Sequence, residues 1–217
     1  MIIPNPSPTF DICMIMGHSC SGKTVLAKEL AMKHNAYCYM MDDFRYFLRE
    51  IITSKINQGL YNALEDNYAI TSQWSLQKRW QYHLELSKYL CHYIEVNLAH
   101  HLSVHSSIVL EGVYLLPRMA DKKVLMYQSL AKKKVKSVVL VEHDDEWIYK
   151  SLVERDHTRH CAVTLDKRPI TEQKSILQMI QMQRDYLLQN APKHNVPVVA
   201  SRPYETLLQR VSEAIED

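Results

Sequence analysis

The chain has 217 residues, of which 47% are apolar and 23% are charged, and its formal net charge at pH 7 is +2. This length and composition are typical of a single globular domain with one sizeable core. The near balance of 26 basic and 24 acidic residues argues against a nucleic-acid or anionic membrane surface as the main partner.

The sequence also lacks the marks of a membrane-spanning or secreted protein. It contains no run of 18 apolar residues, and its first ten residues, MIIPNPSPTF, carry three prolines and no basic residue. The five cysteines are odd in number and form no CxxC pair, which indicates free thiols in a reducing compartment. We therefore expect a cytoplasmic protein with one domain over residues 1–217, in which residues 1–9 form a loose lead-in.

Short β-prone runs alternate with longer helical stretches along the chain. Most of the strand candidates are continuous apolar runs, as expected of strands that are buried on both faces. This order predicts an α/β fold in which a parallel sheet is covered by helices on both faces. The expected strands cover residues 11–16, 36–40, 107–111, 135–142 and 196–200. The expected helices cover residues 23–35, 43–56, 75–101, 144–155, 169–194 and 204–215.

The segment GHSCSGKT fits the pattern G-x-x-x-x-G-K-[ST] and lies between the first expected strand and the first expected helix. Glycine at positions 17 and 22 would let backbone N–H groups wrap a polyphosphate closely, and the helix N-terminus adds partial positive charge. Lys23 would reach the β- and γ-phosphates, and the Thr24 hydroxyl would ligate Mg²⁺. A glycine turn that enters a helix beside a chance lysine is the alternative. The predicted nucleotide-binding residues are Gly17, His18, Ser19, Cys20, Ser21, Gly22, Lys23 and Thr24.

A second metal-side group is expected at the end of another strand. In the segment SSIVLEGVYLLP, Glu111 directly follows three apolar residues at the end of the third expected strand. It could complete the Mg²⁺ shell, directly or through water, or orient the attacking group. The alternative is an acid at a strand end that is simply exposed to solvent.

The segment YMMDDFRYFLRE points to an acceptor site. Asp42 follows the second expected strand, where it could orient or deprotonate an acceptor hydroxyl, and Asp43 would open the next helix. Arg45 and Arg49 are four residues apart, so we expect both on one helix face, where they could clamp a phosphate or carboxylate. The alternative is helix capping by the aspartates and exposed charge on the helix surface.

The segment VERDHTRHCAVTLDKRP is rich in cations and has few core residues, which is typical of a lid that closes over phosphates. A solvated basic loop is the alternative. His157, His160 and Cys161 could suggest zinc, but the neighbouring sequence supplies no further ligand pair. The expected lid cations are Arg155, Arg159, Lys167 and Arg168.

Three aromatic residues in the region before the long third helix and at its start also bear on the acceptor. Trp74, Trp80 and Tyr82 could line an acceptor pocket, although helix packing is the simpler interpretation.

Taken together, these residues resemble the 2-phosphoglycerate kinase family, within the wider group of small P-loop kinases that includes shikimate kinase and zeta-toxin-like kinases. The family loop reads roughly G-x-S-x-x-G-K-[ST], and its D-x-x-R-x-x-x-R pattern falls on Asp42, Arg45 and Arg49. Its third strand ends in a pattern similar to EGVYLLP, and its last long helix and strand look like ILQMIQMQRDYLLQNAPKHNVPVV. The resemblance runs from residue 11 to about residue 210.

The resemblance implies a three-layer α/β/α fold with a five-stranded parallel sheet of order 2-3-1-4-5. It also implies a helical acceptor-binding region over residues 43–101, a helical lid over residues 144–169, and ATP with Mg²⁺ as the phosphoryl donor. Cys20, Tyr114 and Gln181 depart from the glycine, histidine and arginine expected of the family. These departures bear on the acceptor and the lid more than on nucleotide binding.

The leading hypothesis is an ATP-dependent kinase that acts on a small anionic acceptor such as 2-phosphoglycerate. Thr24 and Glu111 would hold Mg²⁺. Lys23, Arg155 and Arg159 would balance the charge of the transition state, although Arg155 could instead stack on adenine. The alternatives are a nucleotide-binding regulatory module without turnover, and a kinase of nucleotides, sugar-nucleotides or polynucleotide 5′ ends. The expected catalytic residues are Lys23, Asp42, Arg155 and Arg159. The expected acceptor-binding residues are Asp42, Arg45, Arg49, Glu111 and Gly112.

Overall fold

The computed structural model describes residues 9–53, 55, 58, 61, 64, 74–104, 107–121, 132–158 and 164–216. The strands are β1 (Ile12–Gly17), β2 (Tyr37–Met40), β3 (Ile108–Gly112), β4 (Val135–Val141) and β5 (Val198–Ala200). The helices are α1 (Lys23–His34), α2 (Met41–Ile51), α3 (Leu76–Val104), α4 (Asp145–Thr158), α5 (Ile170–Asn190) and α6 (Leu207–Glu216). The lead-in over residues 1–8 lies outside the described residues.

The five strands form one parallel sheet of order β2-β3-β1-β4-β5, which confirms the predicted order. The apolar strand β1 lies at its centre, pairs with β3 and β4, and is buried along its whole length. Because all strands run in the same direction, their carboxyl ends meet at one edge of the sheet, where α/β proteins bind ligands.

Helices cover both faces of the sheet, and alternate residues of β1 contribute to two separate cores. Met14 and Met16 pack in the core that includes residues of α2, α3 and α5. Cys13 and Ile15 pack on the opposite face with residues of α1 and α6. These layers form the predicted three-layer α/β/α arrangement, which is held mainly by burial of apolar side chains.

The second helix differs from its predicted bounds. It begins at Met41, two residues earlier than expected, and ends at Ile51. Asp42 and Asp43 therefore both lie in its first turn, where the helix dipole favours negative charge. The prediction that Asp43 opens the helix was wrong, because the chain turns into the helix directly after β2.

The fourth helix begins near its predicted position but extends three residues beyond it. Asp144 caps its N-terminus, since its Oδ1 accepts hydrogen bonds from the N–H groups of Glu146 and Trp147, each at 3.0 Å. The helix continues to Thr158. Within the described part of the chain, no helix combines the length and the hydropathy needed to cross a membrane.

Candidate nucleotide and acceptor site

The predicted nucleotide loop connects β1 to α1 in a tight turn that excludes side chains at two positions. A Cβ atom at Gly17 would lie 2.6 Å from the carbonyl oxygen of Leu140 and 2.6 Å from Ser21 Oγ. Gly22 precedes the helix in a left-handed conformation with φ of 81°. Both glycines are therefore required by the geometry of the turn, as the sequence predicted.

The loop is tied to the ends of two neighbouring strands. The N–H of Glu142, just after β4, donates to His18 Nε2 at 2.9 Å. The hydroxyl of Ser201, just after β5, donates to the carbonyl of Ser21 at 2.8 Å. These bonds hold the loop in shape from behind, while Ser19 and Cys20 line the cavity in front of it.

Lys23 places a buried ammonium group inside this turn. Lys23 is only 6% exposed, and its Nζ donates a hydrogen bond to the carbonyl oxygen of His18 at 2.7 Å. Burial lowers the pKa of Lys23, while the nearby carboxylates of Glu111 and Asp42 act in the opposite direction. The ammonium group thus lies between the loop backbone and two acidic side chains.

Thr24 and Glu111, the two residues expected to hold Mg²⁺, are in direct contact. Thr24 Oγ1 donates to Glu111 Oε1 at 2.9 Å, although 87 residues separate them in the chain. Burial raises the pKa of Glu111, and Lys23 and the Thr24 hydroxyl act against this shift. A hydroxyl and a carboxylate are oxygen ligands of the kind that Mg²⁺ accepts.

The described residues contain no group of three His, Cys, Asp or Glu side chains that could form a metal site by themselves. The pair formed by Thr24 and Glu111 fits Mg²⁺, which commonly takes only one or two protein ligands and completes its shell with phosphates and water. His157 lies in the described part of α4, whereas His160 and Cys161 lie outside the described residues, so the zinc alternative is not tested.

A cavity of about 460 Å³ opens in front of the loop. Asp42, Glu111 and Arg155 line it, and these side chains come from α2, β3 and α4. Tyr204 and Leu207 also line the cavity, and both lie close to Gly22: a Cβ atom there would be 3.1 Å from Tyr204 Cε1. The Tyr204 hydroxyl accepts a hydrogen bond from Trp147 Nε1 at 3.2 Å, which helps to fix the ring.

The two arginines expected to act as a pair have different environments. Arg45 is buried, with only 7% of its surface exposed. Arg49 is exposed and lines neither the cavity in front of the loop nor the smaller cavity that Arg45 lines. Arg45 instead shares a cavity of about 150 Å³ with Arg79 of α3. The expected Arg45–Arg49 clamp stays a prediction, because in the structure only Arg45 of the two lines this cavity. The remaining residues that line this second cavity are Tyr82, His83, Leu86, Tyr114 and Met179.

Sequence reasoning missed Arg79, although a signal was present. Arg79, Tyr82, His83 and Leu86 follow the i, i+3, i+4, i+7 spacing of one helix face. This spacing predicts that Arg79 lies on the same helix face as Tyr82, His83 and Leu86. Arg79 also donates through NH1 to Ser175 Oγ on α5 at 2.8 Å.

Gly112, expected to bind the acceptor, has a packing role in the structure. A Cβ atom there would lie 2.5 Å from Met41 Cβ, so the glycine lets α2 start directly against the end of β3. The next residue, Val113, lines the larger cavity. An acceptor-binding role for Gly112 stays a prediction.

The expected lid cations fall into three groups. Arg155 lines the larger cavity and forms an ion pair with Asp156 at 3.2 Å. Arg168 pairs with Glu172 in the first turn of α5, and Lys167 is exposed. Arg159 lies outside the described residues. Only Arg155 among the described lid cations is thus placed beside the nucleotide loop.

The end of the cation-rich segment is anchored to α4. The N–H of Leu165 donates to Asp156 Oδ2 at 3.1 Å, and the Leu165 side chain packs in a small core with Ile148, Leu152 and Ile180. This small core joins α4 to α5 and holds the end of the helix that carries Arg155.

No protein-family model matches this chain, and no curated protein matches its sequence. Solved structures do match. A candidate kinase from Chloroflexus aurantiacus has a TM-score of 0.50 and 14% identity over 95% of this chain and 98% of that chain. A shikimate kinase from Bacteroides thetaiotaomicron has a TM-score of 0.48 and 14% identity, over 96% and 100%. A gluconokinase from Sinorhizobium meliloti has a TM-score of 0.48 and 16% identity, over 96% and 95%.

At these identities the likeness concerns the fold alone. Together with the sheet order, it confirms the three-layer α/β/α fold of P-loop kinases that the sequence predicted. The narrower resemblance to the 2-phosphoglycerate kinase family stays a prediction.

The contact between Thr24 and Glu111 can be tested with two substitutions. Thr24→Val removes the hydroxyl, whereas Thr24→Ser keeps it. We expect Thr24→Val to raise the Mg²⁺ concentration needed for half-maximal binding of a fluorescent ATP analogue by at least about tenfold, and Thr24→Ser to stay near the unaltered chain. Equal Mg²⁺ dependence of the two variants would contradict the assignment.

Proposed function

We propose that this chain is an ATP- and Mg²⁺-dependent kinase that transfers the γ-phosphoryl group to a hydroxyl of a small anionic acceptor. The observation that carries the proposal is the larger cavity. It is lined by the nucleotide loop and also by Asp42, Glu111 and Arg155. Groups suited to the donor and groups suited to the reacting hydroxyl therefore face the same space.

The donor would lie along the loop with its phosphates toward Lys23. The loop backbone and the N-terminus of α1 attract phosphate oxygens, and the buried ammonium group supplies a full positive charge. Tyr204 and Leu207 line the same cavity beside Gly22, and their aromatic and apolar side chains would contact the base of the nucleotide. This arrangement supports a nucleoside triphosphate over a free phosphate.

The chemistry would depend mainly on position and charge. Lys23 and Arg155 would offset the negative charge that develops on the transferred group, and Asp42 would orient the acceptor hydroxyl and accept its proton. Mg²⁺, when held by Thr24 and Glu111, would offset charge on the phosphate oxygens. Arg159, the fourth residue expected to act in catalysis, has no structural support because it lies outside the described residues.

The smaller cavity supports an anionic acceptor. Two guanidinium groups, those of Arg45 and Arg79, line a space of about 150 Å³, which suits a small acid and not a polynucleotide. Arg45 also lies 5.7 Å from the ring centroid of Tyr114, one of the residues that depart from the resembled family. We propose 2-phosphoglycerate and related phosphorylated acids as the first acceptors to test.

Transfer of labelled γ-phosphate from ATP can be measured against a panel of 2-phosphoglycerate, 3-phosphoglycerate, shikimate and gluconate. With the acceptor that is turned over, we expect Asp42→Asn to lower kcat by about 10²-fold or more, because the acceptor hydroxyl loses its proton acceptor.

Asp43→Asn is the matched control. It removes an exposed carboxylate from the same first turn of α2, where the carboxylate interacts with the same helix dipole. Unlike Asp42, Asp43 does not line the cavity. Equal losses of kcat in the two variants would contradict the role of Asp42. Tight MgATP binding without transfer to any acceptor would favour a nucleotide-binding regulatory module.

The acceptor arginines give a second matched pair. We expect Arg79→Gln to raise KM for the acceptor by at least about tenfold, because a charge-assisted contact to an anion is lost, and to leave KM for ATP nearly unchanged. Arg49→Gln should change neither value, since Arg49 is exposed and lies outside both cavities. The reverse pattern would favour the Arg45–Arg49 clamp.

A further inference from the structure

His18, the second residue of the nucleotide loop, has no part in the proposed chemistry and yet is completely buried. Both of its ring nitrogens are in contact with backbone groups. Nδ1 lies 2.8 Å from the carbonyl oxygen of Ser19, and Nε2 lies 2.9 Å from the backbone nitrogen of Glu142.

These two partners determine the protonation of the ring. The N–H of Glu142 can only donate, so Nε2 must accept and carry no proton. The carbonyl of Ser19 can only accept, so Nδ1 must carry the proton and donate it. One neutral tautomer therefore satisfies both contacts, and a doubly protonated ring could not.

The surroundings favour the same neutral form. Burial lowers the pKa of His18 to about 4, and the positive charges of Lys23 and Arg184 act in the same direction. Its hydrogen bonds to the backbone of Ser19 and Glu142 act against this lowering of the pKa. The imidazole is thus uncharged at neutral pH beside a loop that is suited to anions.

His18 also touches the lysine of the loop through its backbone. Its carbonyl oxygen accepts the hydrogen bond from Lys23 Nζ at 2.7 Å. The same residue therefore contacts the ammonium group through its main chain and the end of β4 through its side chain. A change in the ring position would move the carbonyl that holds the ammonium group.

The end of β4 is itself held firmly. The carboxylate of Glu142 accepts hydrogen bonds from Arg202 at 2.8 and 3.1 Å, and one from the N–H of Asp144 at 2.9 Å. Arg184 of α5 donates to the Glu142 carbonyl at 3.3 Å. The ring of His18 thus connects the loop to the end of β4, which Arg184 of α5 and Arg202 after β5 also contact.

The loop needs such a support because of Cys20. This residue has a φ of 61°, a left-handed conformation that residues other than glycine seldom adopt. The hydrogen bonds at His18 and at Ser21 flank Cys20 on either side. These hydrogen bonds stabilise a backbone conformation of Cys20 that is unfavourable for residues other than glycine.

We infer that His18 is a positioning residue for triphosphate binding, whose neutral imidazole fixes the loop backbone and the ammonium group of Lys23 against the end of β4. This inference rests on the proposal that the loop binds the phosphates of ATP. It assigns a role to a position that the loop pattern leaves open.

The test compares two variants that both fill the space of the ring. His18→Gln keeps a side-chain oxygen that can accept from the Glu142 N–H, whereas His18→Leu has no acceptor. Binding of MgATP and of AMP to the full-length chain is measured by calorimetry, and stability is measured by urea unfolding. We expect His18→Leu to weaken MgATP binding at least about tenfold and AMP binding much less, with His18→Gln restoring most of the loss.

Three results would overturn the inference: unchanged MgATP affinity in His18→Leu, equal losses in both variants, or equal losses for MgATP and AMP. If the unaltered chain binds no MgATP, the proposed function fails instead, whatever His18 does.

A measurement on the unaltered chain does not depend on how the variants fold. The ¹⁵N NMR signals of the His18 ring, assigned by their loss in His18→Gln, report its tautomer. We expect a neutral ring protonated on Nδ1 at pH 7. A charged ring, or one protonated on Nε2, would contradict the inference because Nε2 could then not accept from Glu142.

Discussion

The buried ammonium group of Lys23 is the interaction on which the rest of the site depends. A cation removed from water is costly unless it is paired, and burial lowers the pKa of this lysine. This cost is offset in part by a hydrogen bond from the ammonium group to the His18 carbonyl and by the nearby carboxylates of Glu111 and Asp42. A polyanion in the same cavity would complete the pairing, which is why the turn is interpreted as an anion site and not as a glycine-rich helix start.

The parallel sheet makes this arrangement possible. The carboxyl ends of its strands lie along one edge, so groups that are far apart in the chain meet there. Thr24 and Glu111 meet because β1 and β3 are neighbours in the sheet, and Ser201 meets Ser21 because β5 ends at the same edge. Arg155 arrives from the helix that follows β4. The fold therefore brings Asp42, Glu111 and Arg155, which come from other elements of the chain, around the same cavity as the predicted nucleotide loop.

Local sequence patterns predicted the loop and the buried strands, but they could not predict contacts between residues that are far apart in the chain. The loop motif requires certain residues within eight positions, and the apolar runs are strands buried on both faces, so both could be interpreted from the chain alone. Four residues leave a rotation of about 40° on a helix, and in the structure Arg45 is buried whereas Arg49 is exposed to solvent. Arg79 comes from another helix, and His18 occupies a position that the motif leaves variable, so their contacts depend on tertiary packing.

The most direct test of the account is calorimetric titration of the chain with MgATP, for the unaltered protein, Lys23→Ala and Lys28→Ala. Lys28 lies on the same helix but is exposed, so its removal takes away the same charge without touching the cavity. The account expects the unaltered chain and Lys28→Ala to bind alike, and Lys23→Ala to bind at least about tenfold more weakly. Binding that is unaffected by Lys23→Ala, or no binding by the unaltered chain, would contradict it.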